Sequence, residues 1–234
     1  MNSFQNNLTT IDPVVIKDQS AFLSRVFGWM ALALFISAGL AYFVAGSVAV
    51  QQIVFGSPLI FFGLMIAELG LVIYLSAKIT KMSVSAAKIS FFLYAALNGL
   101  TLSAIFLAYT ASSIAGTFIV SAATFGVMAL YGYITKRDLT SWGHLLMMFL
   151  FGIIIAGIVN IFIQSTTLYW TTTVIGIGLF VGLTAYDTQR IKNMSIGNIN
   201  SPDEQKGAIL GALILYLDFI NLFLFVLRIF GKRK

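Results

Sequence analysis

The chain has 234 residues, 59% of them hydrophobic and 9% charged, a composition too apolar for a soluble domain of that length and one that requires lipid as solvent. The formal net charge of +6 comes without a basic, aromatic-interleaved stripe, which argues against nucleic acid as a partner. The absence of cysteine excludes disulfides, thiolate nucleophiles and cysteine metal sites, and the absence of a glycine-rich phosphate loop leaves no nucleotide site to drive pumping.

In chain order, residues 1–22 read as a polar, cytoplasmic N-terminal tail. Asp12 and Asp18 precede a full-length span there, whereas a secretory signal would open with basic residues and close on a small-residue cleavage site. Each crossing of a hydrocarbon core about 30 Å thick needs about 20 apolar residues. Such stretches recur at about 26–48, 53–77, 89–109, 114–135, 143–164, 168–189 and 208–230. Residues 23–231 are therefore expected to form one transmembrane domain of seven α-helices, followed by a basic end at 232–234.

The cations fix an expected orientation. Lys17 and Arg25 precede the first span; Lys78, Lys81 and Lys88 lie between the second and third; Lys136 and Arg137 between the fourth and fifth; Arg190, Lys192 and Lys206 between the sixth and seventh. The alternate connections, around Gln51 and Gln52, Thr110 to Ser113, and Ser165 to Thr167, carry no charge, which places the amino terminus in the cytoplasm. Arg228, Lys232, Arg233 and Lys234 disagree with that pattern, because an odd number of spans puts them outside. A re-entrant last segment would need a break, and Ala212 to Phe230 contains neither glycine nor proline, so a single crossing is expected. Gly99-Leu100-Thr101-Leu102 echoes Gly182-Leu183-Thr184-Ala185, an echo that chance explains among such common membrane residues.

Glu68, Asp187 and Asp218 are the acids that fall inside apolar stretches. A carboxylate at bilayer depth costs about 2.5–3.5 kcal/mol on insertion scales, so it is paired, protonated or turned to a water-filled cavity. Asp187, near the cytoplasmic end of the sixth span, has a simpler reading as a helix-end acid beside Arg190. Asp218 lies about 18 Å along its helix from Lys206 at 1.5 Å per residue and is hard to explain as interfacial. Asn221 shares its face, and Tyr216 is expected to add a hydroxyl from an adjoining one; the structural alternative is hydrogen-bonding glue between helices. Consecutive antiparallel spans allow Asp187 and Asp218 to meet. Two carboxylates in one dry site cannot easily both ionise, so a proton is retained between them and the pair becomes a pH switch. Glu68, with the amides Asn98 and Asn160 on neighbouring spans, extends a candidate cation pathway whose oxygens suit H⁺ or Ca²⁺. His144, the single histidine, reads as an interfacial side chain.

The segment Gly182 to Gln189 and the run Leu215 to Ile229, Leu-Tyr-Leu-Asp-Phe-Ile-Asn-Leu-Phe-Leu-Phe-Val-Leu-Arg-Ile, resemble the Bax inhibitor-1 family, also called the transmembrane Bax inhibitor motif family, in its bacterial branch. The resemblance implies an all-α membrane fold of seven helices, the last wrapped by two layers of three, in a bacterial inner membrane. It also implies a pH-dependent Ca²⁺ leak in which Asp187 and Asp218 share a proton and control opening, and Glu68 matches an acid of the second span; the same two aspartates are the candidate Ca²⁺ ligands. The family's latch is an arginine at the cytoplasmic end of the second span. Here that stretch reads Ala77-Lys78-Ile79-Thr80-Lys81, so Lys78 is the nearest substitute, a point charge without arginine's planar fork.

Two other readings compete with a leak that has Ca²⁺ as cargo, H⁺ as regulator and no cofactor. Intramembrane aspartyl proteases also place Tyr-Asp on one span, as in Tyr186-Asp187, but they need a Gly-x-Gly-Asp turn where this chain has Leu215-Tyr216-Leu217-Asp218, so no enzyme is expected. A regulator that binds another membrane protein, such as a quality-control protease, would make the aspartates structural.

Overall fold

The computed structural model describes residues 13–195, 198 and 200–234; the first twelve residues of the expected tail lie outside the described residues. Among these, the chain is built from α1 (Pro13–Gly46), α2 (Val48–Phe55), α3 (Pro58–Lys78), α4 (Val84–Ala108), α5 (Ala111–Ile134), α6 (Thr140–Ile163), α7 (Thr166–Lys192) and α8 (Pro202–Phe230). A 3-10 turn, Ile79–Lys81, follows α3. Seven helices are long and apolar enough to cross a membrane: Gln19–Gly46, Pro58–Lys81, Val84–Ala108, Ala111–Ile134, Thr140–Ile163, Thr166–Lys192 and Pro202–Phe230.

Local chemistry sets where they begin. Ser83, Thr110, Ser165 and Ser201 are extended N-cap residues whose hydroxyls accept from the backbone N–H of Ala86, Ser113, Leu168 and Glu204. Pro202 starts α8 and the acids Asp203 and Glu204 sit in its first turn, where the helix dipole favours them. These caps lie outside the hydrocarbon stretch, so the helices start up to six residues before the apolar runs that announce them.

One boundary departs from expectation. The first two spans were expected to end at 48 and begin at 53, but the chain turns twice, and Val48–Phe55 forms a separate short helix. Ser47 and Ser57 are both extended, and Pro58, lacking an N–H, starts the next helix afresh.

The last helix is the most enclosed of the seven. Of the most apolar 18-residue window, 72% is buried in α8, against 6% in α3 and none in α6. Leu213, Leu215, Tyr216 and Leu222 are fully buried. Four spans, α1, α4, α5 and α7, pack directly on α8, while α3 takes its backbone packing from α4 and α6 from α7. Helix association in lipid depends on close backbone approach, and glycine supplies it at two crossings. A Cβ on Gly99 would stand 2.7 Å from the Ser37 carbonyl of α1, and one on Gly132 would strike the Ala185 carbonyl of α7. Gly182 faces only the Leu146 side chain, so the two echoing segments serve different contacts.

Residues 231–234 return alongside the connection between α4 and α5. Thr110 N–H donates to the Lys232 carbonyl at 3.0 Å, Lys234 N–H to Ala108 at 3.1 Å, and Lys232 N–H to Ser113 Oγ at 2.9 Å. The terminal cations thus lie at the Thr110 end of the bundle, opposite Arg190, as seven crossings require.

Gly132→Ala is expected to cost about 1–3 kcal/mol by forcing α5 from α7. Gly28→Ala, where a Cβ meets nothing within 4 Å, should leave stability unchanged or slightly higher. Thermal unfolding in detergent compares them; equal melting temperatures would refute the backbone contact.

Candidate functional site

Two threonines prepare the end of α7. Thr184 and Thr188 each donate to a carbonyl one turn back, Phe180 and Thr184, at 2.7 Å, so that neither hydroxyl is left bare in a low-dielectric core. Asp187 between them is 6% exposed. Opposite it stands Asp218 of α8, 5% exposed. Their carboxyl groups are in hydrogen-bonding contact with each other. Arg190, one turn on from Asp187, places Nη1 3.8 Å from Asp187 Oδ1, and Asp218 Oδ2 meets no donor of the protein.

The two acids meet because α8 begins far out. Gly211 lies against Ile191 near the end of α7, and α8 extends about nine residues, roughly 13 Å, beyond that level to Pro202. The outer turns are held by α1, where Phe22 lies against Gly207, and by Lys206, whose Nζ donates to the Thr80 carbonyl at 2.9 Å.

The pair lines a cavity of about 600 Å³ bordered by α3, α4, α6, α7 and α8. Glu68, Tyr94, Asp187, Arg190, Asp218 and Asn221 are its polar lining; Met65, Met147, Leu150 and Ile154 form apolar walls. About 10 Å deeper along both helices, Phe180 and Phe225 stack with centroids 5.9 Å apart and interplanar angle 29°. Glu68 accepts from Asn98 Nδ2 at 3.2 Å, and its buried Oε1 meets no donor. Among the described residues no group of three histidines or acids gathers to hold a metal, so Ca²⁺ at the aspartate pair would rest on two carboxylates and water.

Three residues expected to serve the site stand away from the aspartate pair. Tyr216 is not in the cavity: its hydroxyl donates to Asn98 Oδ1 at 2.8 Å and lies 2.6 Å from Ser37 Oγ. Residues two apart point to opposite sides of a helix, which turns Tyr216 toward α1 and α4 when Asp218 faces α7. Lys78 does not reach the pair either. It is exposed at the end of α3, and Arg190 is the cation beside the aspartates. Asn160 accepts from Ser165 N–H at 2.9 Å and closes the end of α6, away from the cavity. Asn221 does line the cavity, with its Nδ2 given to the Leu217 carbonyl at 2.8 Å, and His144 is exposed on α6.

Residues 19–234 match the family model described as "Inhibitor of apoptosis-promoting Bax1". The chain belongs to the Bax inhibitor-1 family. It is 52% identical over 215 residues to the inner membrane protein YbhL of Escherichia coli K12, covering 91% of this chain and 92% of that one. It is 42% identical to an uncharacterised protein of Borreliella burgdorferi, covering 94% and 95% of the two chains, and 40% identical to one of Rickettsia prowazekii over the whole of both.

Within this Bax inhibitor-1 chain, the sequence placed Arg190 beside Asp187 only in the reading of a helix-end acid; the structure puts that same cation next to the carboxyl pair. Sequence reasoning missed Gln189, whose amide clamps the connection between α5 and α6 by accepting from Leu139 N–H at 2.9 Å and donating to the Arg137 carbonyl at 2.8 Å. The only cue was the polar side chain two residues past Asp187.

Because the chain has no cysteine, single-cysteine variants report on one position each. Asn221→Cys is expected to react with a small water-soluble methanethiosulfonate much faster than Leu215→Cys, which replaces a fully buried residue on another side of α8. Equal rates would mean that the cavity is not open to water.

Proposed function

We propose that the protein is a passive cation leak of a bacterial inner membrane, with Ca²⁺ as cargo, whose conductance is set by a proton shared between Asp187 and Asp218. The observation that carries this reading is the contact of two buried carboxyl groups from different helices. Two carboxylates have no donor to offer each other, so their contact calls for a proton between them, and its gain or loss changes the force between α7 and α8 directly. Glu68 and Asn221 in the same cavity are the oxygen ligands such an ion would meet, and Arg190, on α7 and not at the end of the second span, is the cation nearest the pair. Family membership supports the reading, and the printed description of YbhL supports the inner membrane.

The orientation belongs to the same proposal. Ten of the fourteen lysines and arginines fall in segments at the Arg190 end of the bundle and four at the Thr110 end, which supports a cytoplasmic Arg190 face and amino terminus. For an ion leaving toward the Thr110 face, this reading assigns the barrier to Phe180 and Phe225, which stack in the cavity lining about 10 Å from the pair.

The test is Ca²⁺ entry into dye-loaded liposomes between pH 5 and 8. Wild type is expected to leak with a pH dependence that disappears in both Asp187→Asn and Asp218→Asn. No protein-dependent flux at any pH would sink the leak and favour the partner-binding reading. Phe225→Ala is expected to raise the basal leak several-fold by thinning the barrier; an unchanged leak would move the barrier elsewhere.

A further inference from the structure

The end of the bundle formed by the α4–α5 connection, the α6–α7 connection and residues 231–234 has an unusual charge balance. Arg228, Lys232, Arg233 and Lys234 gather there. Every described acid lies inside a span or toward the other end: Asp18, Glu68, Asp138, Asp187, Asp203, Glu204 and Asp218. Four cations thus stand at this end without an acidic side chain among the described residues to balance them.

They are nonetheless held in place, and by neutral groups. Lys234 Nζ donates to the Phe106 carbonyl at 2.7 Å. Arg233 pairs by its backbone with Tyr109 and shares a recess with Tyr169. Arg228 lies 5.3 Å from the ring centroid of Tyr169 and 4.9 Å from that of Phe225. Such contacts orient a guanidinium and leave its charge uncancelled.

Arg228 and Arg233 open into one recess of about 640 Å³, shared with Asn160, Gln164, Tyr169 and Trp170. Paired planar forks suit the oxygens of a phosphate, and the amide of Gln164 offers a neutral donor to groups beside it. The recess has an exposed apolar rim: Trp170 is 45% exposed and Ile229 37% exposed. A free phosphate has no use for that rim, whereas a lipid sets its headgroup in the recess and its acyl chain along the rim.

We infer that this recess binds the phosphodiester headgroup of an anionic membrane lipid, with Arg228 and Arg233 on the phosphate and Trp170 against the start of the acyl chains. The lipid supplies negative charge where no acidic side chain of the described residues does. It also accounts for four cations on a face that the charge rule for membrane topology leaves poor in them.

The experiment is native mass spectrometry of the full chain in non-ionic detergent, titrated with phosphatidylglycerol or phosphatidylcholine. Phosphatidylglycerol is expected to be retained about tenfold more tightly, and the Arg228→Gln, Arg233→Gln double variant to lose that preference. Arg228→Lys with Arg233→Lys keeps the charge and loses the forks, and should lose most of the preference too. Lys81→Gln with Lys136→Gln, an equal charge change at the other end, should keep it. Equal retention of the two lipids overturns the assignment, as does a preference that survives either arginine variant or falls equally in the lysine control. Inorganic phosphate is added as competitor: lipid retention unaffected at millimolar phosphate supports a lipid site, and displacement by phosphate alone assigns the recess to the free ion and overturns the lipid.

Discussion

A polar side chain on a helix that crosses hydrocarbon must find its partner inside the protein, and α8 carries three within six residues. Tyr216 requires a hydrogen bond on one side, Asp218 requires a partner or a proton on the opposite side, and Asn221 folds its amide back on the Leu217 carbonyl. No lipid-facing helix can meet those demands. Satisfying them puts α8 inside the bundle, sets α1 and α4 against Tyr216, and brings the end of α7 to Asp218. The burial of α8 and the exposure of α3 and α6 are two sides of the same arrangement: the outer pair borders a cavity and presents apolar side chains to lipid.

That division bears on what can move. The α1–α4 and α5–α7 crossings are backbone contacts through Gly99 and Gly132, with no side chain to yield. By contrast, α3 packs on α4 alone among the long helices, α6 packs on α7, and neither buries much of its surface. A change of cavity shape is therefore easier by displacement of α3 and α6 than by sliding within the inner set.

Much of this was legible in the residues. Spans are recognisable because the bilayer thickness imposes a length, and the two aspartates stand out because charge at that depth is costly. Helix ends were less visible, since Ser83, Thr110, Ser165 and Ser201 act through backbone donors outside the apolar runs. The side of α8 on which Tyr216 falls depends on a 100° step per residue, which an adjoining-face estimate blurred. The pairing of Glu68 with Asn98 joins residues 30 apart on different helices and had no local signal at all. Lys78 was favoured by analogy of position, while the exposed end of α3 leaves its flexible chain no reason to enter the core.

The hydrogen bonds that run from Glu68 through Asn98 and Tyr216 to Ser37 link four helices, α3, α4, α8 and α1. Because Tyr216 and Asp218 sit back to back on α8, a twist of that helix that parts the aspartates also drags the phenol across Ser37 and Asn98. Events at the end of α7 are thereby geared to α1, on the far side of the molecule, through the rotation of a single rod. The first helix, although it lines no part of the acidic cavity, is thus tied to the helix that carries Asp218.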